Sequence, residues 1–429
     1  MLHPLSIWLV ATGEPLDTDE GSVPLHRSGR LSRFLAERGH VVTWWTSRFD
    51  HRNKRPRRTP LISTTGGVKL RLIDSPGYAR NVSLQRIRDH RVFAANFLGE
   101  AAGEPRPDII MGALPTVDVA AAAIRAGALH HCPTVVHIED QWPDVIVDHF
   151  AAPFRPLVRI ALSRMNDRAR FALSHATAIT GLTDAYVSWG LEKAGRAKRP
   201  LDEAFPLARE MFDLEFVDAH GDGRQELARA GVPSDPKTMI VSFTGTLGEH
   251  SDIPTVIAAA RELLARKVPA HIVIAGDGEY RAAYVKAASG LDNVTFTGQL
   301  SRAGVGALLR ASGAGLAPFR DIRNYRDNVP NKVVEYLCAG LPVITPLAGE
   351  MMNLVSGDRA GLRYSPGSAQ ELAEVVERLT RDVPFRQSLA ENARAVFLNK
   401  YEATRVHGRF SAFLERIAGE YQDSGMPAT

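Results

Sequence analysis

The sequence predicts an α/β protein made of two doubly wound halves in series. Three observations carry that expectation. Short apolar runs that end in turn or polar residues alternate with helical patterns from Ser6 onward. Residues 194–237 then break the rhythm with Lys198-Arg199-Pro200, Phe205-Pro206, Gly221-Asp222-Gly223 and Pro233 through Pro236. From Met239 the alternation starts again. Strands separated by helical segments argue for parallel sheets with helices on both faces. A length of 429 residues suits two to three domains.

In the first half Ser6–Val10 reads as a buried strand, followed by a polar loop and a helix near Leu25–Arg38 that Gly39 closes. Val41–Thr46 is the next strand, and the Trp44-Trp45 pair in it reads as strand packing. Asp108–Met111, Thr134–Ile138 and Ala178–Thr180 are further strands, with helices at about Val117–Ala126 and Pro156–Leu173 between them. In the second half the strands are Met239–Thr244, His271–Ala275, Val294–Thr297, Gly315–Pro318 and Pro342–Thr345. Helices fall near Pro254–Arg266, Tyr280–Ala288, Ala303–Ala311, Pro330–Ala339 and Ala369–Arg381. The tail from Pro384 to about Gln422 is helical by period, with Val406, Phe410, Phe413, Leu414 and Ile417 on one face. Two such halves have a natural ligand site between them, at the carboxyl ends of their strands.

Composition narrows the class. With 45% hydrophobic and 23% charged residues the chain is globular and not disordered. Cys132 and Cys338 lie in separate elements and offer neither a disulfide framework nor zinc spacing, which fits a reducing compartment. The run Leu5–Val10 is too short for a signal peptide or a membrane span. The net charge of +4 conceals a split: 27 Lys/Arg face 19 Asp/Glu in residues 1–200, and 25 face 29 in the remainder. A basic half suggests an anionic partner for that half.

The most informative segment is Asp327-Asn-Val-Pro-Asn-Lys-Val-Val-Glu335-Tyr-Leu-Cys-Ala-Gly-Leu-Pro-Val343-Ile. Asn328 is placed to cap a helix and Pro330 to fill its first turn. Free amides and the positive dipole end at such a terminus favour a phosphate, and Lys332 adds a cation there. Glu335 lies on a face otherwise made of Val, Leu and Ala, where a carboxylate needs a hydroxyl or a cation. It can accept two hydrogen bonds and so suits a vicinal diol. On these residues alone, a capped helix with a solvated glutamate is an equally open reading.

The segment resembles the nucleotide-sugar signature of family-4 retaining glycosyltransferases, which have the GT-B fold of two Rossmann-like domains around an interdomain cleft. Two carboxylates stand eight positions apart, Asp327 in place of the usual first Glu and Glu335 as the second, before an Ala-Gly-x-Pro-Val-Ile strand entry. The Pro-Asn-Lys-x-x-Glu-Tyr wording is similar to the branch that builds bacterial O-antigen, capsule and colanic-acid-like polysaccharides and includes fucosamine transferases. Arg38-Gly-His-Val-Val-Thr-Trp-Trp-Thr-Ser-Arg-Phe-Asp-His51 and Glu139-Asp-Gln-Trp-Pro-Asp144 resemble that branch's first crossover and its Asp-x-Trp-Pro segment.

The resemblance implies an acceptor-binding domain at residues 1–205, an interdomain region at 206–237, and a nucleotide-sugar domain at 238–400. A helix at 401–429 would pack back toward the first domain. It implies that Glu335 holds ribose hydroxyls and Asp327 the donor sugar. Amides near Val329, Pro330 and Asn331, with Lys332, would meet the diphosphate. Gly245-Thr-Leu-Gly248 looks like the family's glycine turn, and Thr297-Gly298-Gln299-Leu300 matches where backbone reads the base. Gly276-Asp-Gly278 borders the same place or is a plain turn. The leaving phosphate would itself take the acceptor proton, which fits the lack of an evident nucleophile pair. The co-substrate would be a nucleotide sugar, UDP favoured, with no metal and no other cofactor. Domain closure would exclude water.

Thr246 and Asp252 stand where the family commonly has a phosphate-binding Arg and Lys, so Lys332, Arg320 or Arg323 would have to compensate. On the acceptor side Gly13-Glu-Pro15 ends the first strand, Arg27 and Arg30 open the next helix as candidate anion ligands, and Asp140 is the favoured catalytic-site carboxylate, with His137 behind it. Arg48, Arg52, Lys54, Arg55, Arg57 and Arg58, in a long loop after the second strand, fit an anionic membrane surface or a lipid diphosphate. Lys193, Arg196, Lys198 and Arg199 extend that face. No recognition motif for nucleic acid accompanies these cations, and Asp17-Thr-Asp19 sits too early to be a metal motif. The acceptor is then a glycan or a polyprenyl-diphosphate-linked sugar, and the place cytoplasmic or peripheral on the inner face of a bacterial plasma membrane. A GT-B sugar-nucleotide epimerase and a non-catalytic partner subunit remain as alternatives.

Overall fold

The computed structural model describes residues 3–20, 25–81, 83–148, 150–211 and 221–424. They form two compact units, one of residues 1–206 with 406–429 and one of residues 207–405.

The strands of the first unit are β1 (Ser6–Val10), β2 (Val41–Ser47), β3 (Phe49–Asp50), β4 (Arg55–Pro56), β5 (Ile62–Thr65), β6 (Val68–Ile73), β7 (Ile109–Leu114), β8 (Thr134–Ile138), β9 (Ala178–Gly181) and β10 (Glu203–Ala204). Eight of them make one sheet in the order β10-β9-β8-β7-β1-β2-β6-β5, parallel except for β5 on β6. β3 and β4 form a separate antiparallel ribbon inside the stretch expected to be a loop. Period-2 alternation explains the tryptophan pair. Trp44 packs with Leu9, Leu31 and Leu35 on one face. Trp45 packs with Trp8 and Phe97 on the other, with ring centroids 5.1 and 5.2 Å away. The closing helix, Ala403–Ser424, enters this unit at Val406. Its Phe410 stacks on Phe205 at 4.2 Å, and Phe413, Leu414 and Ile417 are buried beside it.

Further features of this unit differ from the expectation. The strand β6 and the helices Leu84–Ala101 and Asp184–Ala194 were not foreseen. The helix expected over Pro156–Leu173 is two, Arg155–Ala161 and Ser163–His175, because the first ends at Leu162.

The second unit holds β11 (Met239–Thr244), β12 (Ala270–Ala275), β13 (Val294–Gly298), β14 (Ser312–Leu316), β15 (Val343–Thr345) and β16 (Gly361–Arg363). They form a six-stranded, wholly parallel sheet ordered β13-β12-β11-β14-β15-β16. Strands buried on both faces read as near-continuous apolar runs, and β11 and β12 have every residue buried. In each unit the strand order reverses beside its first strand: β2 and β7 flank β1, and β12 and β14 flank β11. Ligands of such sheets bind at the carboxyl ends of the strands, at that reversal.

One side chain sets the geometry at the reversal in the second unit. The β11–β14 register ends at Ser242↔Gly315. Beyond it the Thr244 amide donates to the Tyr336 hydroxyl at 3.0 Å, and that hydroxyl donates to the Leu316 carbonyl at 3.1 Å. Tyr336 is fully buried, and burial holds its phenol well above the ordinary tyrosine range. A Cβ at Gly315 would lie 2.4 Å from the ring, so only glycine leaves room there. Tyr336 belongs to the helix Asn331–Cys338, which is thereby fixed against both strand ends. Asn328 does not cap this helix. Pro330 occupies the cap position, and Asn328 Oδ1 accepts from the neighbouring Val329 amide at 2.8 Å instead.

Tyr336→Phe keeps the packing but leaves a buried amide and a buried carbonyl unpaired. The second unit should lose about 1–3 kcal/mol of stability, measured by urea unfolding. An unchanged midpoint would show that the phenol bridges nothing of consequence.

Candidate functional site

Three strand-end loops of the second unit are laced together by backbone hydrogen bonds. The Gly245 amide donates to Ala275 O at 2.9 Å, the Leu247 amide to Asp277 O at 2.9 Å, and the Gly276 amide to Gly298 O at 2.8 Å. Gly276 has φ +140°, and a Cβ there would lie 1.9 Å from Gly245 O. The Gly276-Asp-Gly278 string therefore touches the glycine turn directly. Gly248 differs, because a Cβ there would meet little beyond Thr246 at 4.0 Å. Gln299 is exposed, and Leu300 packs on a cluster with Leu227 and Val232.

Lys332 lies beneath this turn. Its ammonium is 3.8 Å from the centre of the Phe243 ring and 4.7 Å from that of Phe319. A Cβ at Gly245 would come within 2.6 Å of Nζ. Glycine at 245 thus lets the backbone of the turn come close to the cation. Burial between the rings pushes the Lys332 pKa down to about 7, with Glu335 opposing. The first amides of the helix are those of Asn331 and Lys332, which have no intrahelical acceptor. The expectation for Val329 and Pro330 amides needs correction: the Val329 amide is spent on Asn328 Oδ1, and proline has none.

Glu335 Oε1 pairs with Arg209, whose backbone bonds Tyr401 O and the Ala403 amide. Sequence reasoning missed Arg209 because it lies in the stretch read as interdomain, with no local signal. Asp327 ends the short helix Arg323–Arg326 and faces Arg323 Nε at 3.5 Å. Arg320 pairs loosely with Glu249 at 3.8 Å. Asp252 is a helix cap, accepting from the Thr255 amide and hydroxyl at 3.4 and 2.7 Å. That capping role accounts for a carboxylate where a lysine was looked for.

The reversal point of the first unit is acidic. Thr12 Oγ1 and Thr116 Oγ1, at the ends of β1 and β7, are 3.1 Å apart. Gly13 has φ +85° and delivers Glu14 beneath the helix Arg27–Glu37. There the Glu14 carboxylate accepts from the Ser28 amide at 3.0 Å and the Ser28 hydroxyl at 2.8 Å. Burial raises the Glu14 pKa to about 7, and Glu139 pushes the same way, while Ser28 and Arg27 oppose. Arg27 pairs with Glu139 Oε2 at 2.9 Å, so this cation already has an acidic partner within the protein. Burial holds His137 down at about 4, and its Nδ1 meets Thr180 Oγ1 at 2.9 Å, which makes it a core residue. Asp140 Oδ1 accepts from the Gln141 amide at 2.9 Å.

Four of the six cations in the cluster after β2 have carboxylate partners. Arg57 is buried against Asp19 at 2.7 Å and also donates to Ser47 O, Phe49 O and Glu14 O. Arg48 pairs with Asp74, and Arg55 and Arg58 both pair with Glu20. Lys54 donates to Asn81 Oδ1 at 2.5 Å, and Arg52 is exposed. Lys193 and Arg196 pair with Asp144 and Asp202.

Two doubly wound units in one chain, the second presenting a helix terminus, a lysine and a carboxylate at its reversal point, define a protein of the GT-B fold. Residues 238–382, within the second unit, match the family described as glycosyl transferases group 1. A curated relative, the alpha-D-kanosaminyltransferase of Streptomyces kanamyceticus, is 28% identical over 260 residues. That match takes in 60% of this chain and 63% of the relative, so the chain spans under two thirds of the relative's length. Among solved structures, sucrose-phosphate synthase from Thermosynechococcus elongatus has a TM-score of 0.69 at 15% identity, covering 96% of this chain and 99% of that one. Anabaena HepE in complex with UDP has a TM-score of 0.64 at 18% identity, covering 96% and 100%. At these identities the likeness is one of fold.

The Glu14 carboxyl gives stability a pH dependence. A carboxyl raised from 4.5 to about 7 on folding contributes stability that is present below pH 4.5 and lost as pH rises through 7. Comparing urea midpoints of the protein and Glu14→Gln across pH 4.5–7, the difference should tilt by up to about 1.4 kcal/mol per pH unit. Parallel profiles would show Glu14 to be ionised throughout.

Proposed function

We propose that the protein is a retaining glycosyltransferase of group 1 type. It would move a sugar from a nucleoside-diphosphate donor, UDP favoured, to a glycan or lipid-linked acceptor in bacterial surface polysaccharide synthesis. The observation that carries this reading is the Lys332 ammonium held close under Gly245 at the N-terminus of a clamped helix. A diphosphate on the turn would meet that cation and the Asn331 and Lys332 amides together. Charge growing on the leaving diphosphate would be stabilised there by groups already in place. Glu335, with Arg209 on one of its oxygens, would take the ribose hydroxyls, and Asp327 the donor sugar. The acceptor would lie toward Asp140 and Glu139 of the first unit. The relative's activity as a kanosaminyltransferase supports sugar transfer. HepE, solved with UDP and with UDP-glucose, supports a uridine donor. A cytoplasmic protein peripheral to the inner membrane face fits such an acceptor.

Lys332→Ala and Glu335→Ala should each lower transfer roughly tenfold or more, with the fold retained by circular dichroism. Wild-type turnover in both would remove the site assignment. Product analysis without acceptor separates this reading from an epimerase, which needs none.

The lysine also makes donor binding pH-dependent. Its free-state pKa lies near 7, and a bound diphosphate favours the charged form, so binding takes up a proton. Affinity for UDP should fall as pH rises from 7 to 9. Calorimetry in buffers of different ionisation enthalpy should show the uptake, and Lys332→Met should abolish it. A flat affinity profile in the unmodified protein would contradict the arrangement.

A further inference from the structure

The helix Arg155–Ala161 and the turn before it, Ala152–Phe154, contain no buried residue. Four large apolar side chains stand in solvent along this stretch: Phe150 at 42%, Phe154 at 59%, Leu157 at 67% and Ile160 at 70% of full exposure. A seven-residue helix is too short to be stable in water by itself, and most helical stability in proteins comes from packing an apolar face. Here Leu157 and Ile160 stay exposed, and among the helix's apolar residues only Val158 is half-buried. Isolated exposed leucines are ordinary, but a contiguous group of this kind marks an interaction surface.

The sequence says which kind. At 3.6 residues per turn Leu157, Val158, Ile160 and Ala161 share one side of the helix, and Arg155 and Arg159 take the other. Arg164 follows, exposed, at the start of the next helix. A cavity of about 330 Å³ opens at the same place, lined by Ile87, Ile160, Leu162 and Met165 together with Arg91 and Arg164. The segment 150–164 carries no Asp or Glu. An apolar stripe bordered by arginines, beside a cavity that pairs apolar walls with two guanidinium groups, matches a layer of acyl chains under anionic headgroups.

We infer that residues 150–164 form a membrane-docking surface that lies in the interface of a bilayer containing anionic phospholipid. Phe154, Leu157 and Ile160 enter the acyl boundary, Arg155 and Arg159 remain at the headgroups, and Arg91 with Arg164 receives a phosphate. This transfers the lipid contact from the 48–58 cluster, whose arginines are mostly paired within the protein, to a segment whose large apolar side chains are exposed. The inference rests on exposure and charge and does not depend on sugar transfer.

The test is co-sedimentation of the full chain with vesicles of phosphatidylcholine alone and with phosphatidylglycerol added. The protein should pellet with the anionic vesicles, and less so as salt rises. Leu157→Gln with Ile160→Gln should lower the partition coefficient at least tenfold, and Arg159→Ser with Arg164→Ser should lower it with loss of salt sensitivity. Arg52→Ser with Lys54→Ser should leave it within about twofold. The substituted positions are exposed or, at Lys54, half-buried, so the variants should fold, and a thermal melt of each checks this. Absence of wild-type pelleting, or equal pelleting by the Leu157/Ile160 variant, would overturn the inference. So would a lipid-free dimer that the same variant converts to monomer, since the face would then be a contact between two copies. UDP-induced thermal stabilisation, measured in parallel, reports on the donor site separately.

Discussion

The Tyr336 phenol is the constraint on which the arrangement of the second unit depends. Two parallel strands that part company at a reversal point each leave a backbone group with no partner, and both are buried. One hydroxyl serves both, accepting from Thr244 and donating to Leu316. Because it sits on the helix Asn331–Cys338, satisfying the sheet fixes the helix. Lys332 is then held one turn before Tyr336 and Glu335 immediately before it. Gly315 and Gly245 complete the fit, the first by admitting the ring and the second by letting the turn come close to the lysine. Structural economy and site geometry are here the same set of contacts.

The two units treat charge in opposite ways at equivalent places. The second leaves a desolvated cation at its reversal point, close to neutral pKa, where an incoming anion gains the most from it. The first buries a carboxyl there, uses it to satisfy the start of a helix, and ties Arg27 to Glu139. The excess of cations in residues 1–200 is therefore not concentrated at that point. Many of these cations sit in pairs such as Arg57 with Asp19, where removing one partner would strand a buried charge at a cost of about 3–5 kcal/mol. Cations and apolar side chains left exposed together occur instead around residues 150–164.

The alternation of apolar runs with helical periods was enough to locate β1, β8 and β11 nearly to the residue, because strands covered on both faces must be continuously apolar. The signature from Asp327 to Ile344 was legible, apart from its cap, for the same reason that it folds: a short amphipathic helix and the strand after it are both local. β6 escaped notice since Lys69 and Arg71 interrupt its apolar pattern, and Arg71 is neutralised only by Glu100 and Glu104 from another helix. The partition of Pro156–Leu173 into two helices was invisible because nothing in the string marks Leu162 as an end.

What the sequence determined by itself was the class of fold and the helix Asn331–Cys338, since both follow from spacing along one stretch of chain. What only the tertiary structure decided was how those residues are partnered. That Arg209 meets Glu335, that Lys332 sits between two aromatic rings under Gly245, and that Arg57 is spent on Asp19 all join positions far apart in the chain. Such pairings are set by burial, which removes water as a competitor and makes each charge find its partner wherever the packing brings one. Local spacing carries no record of that.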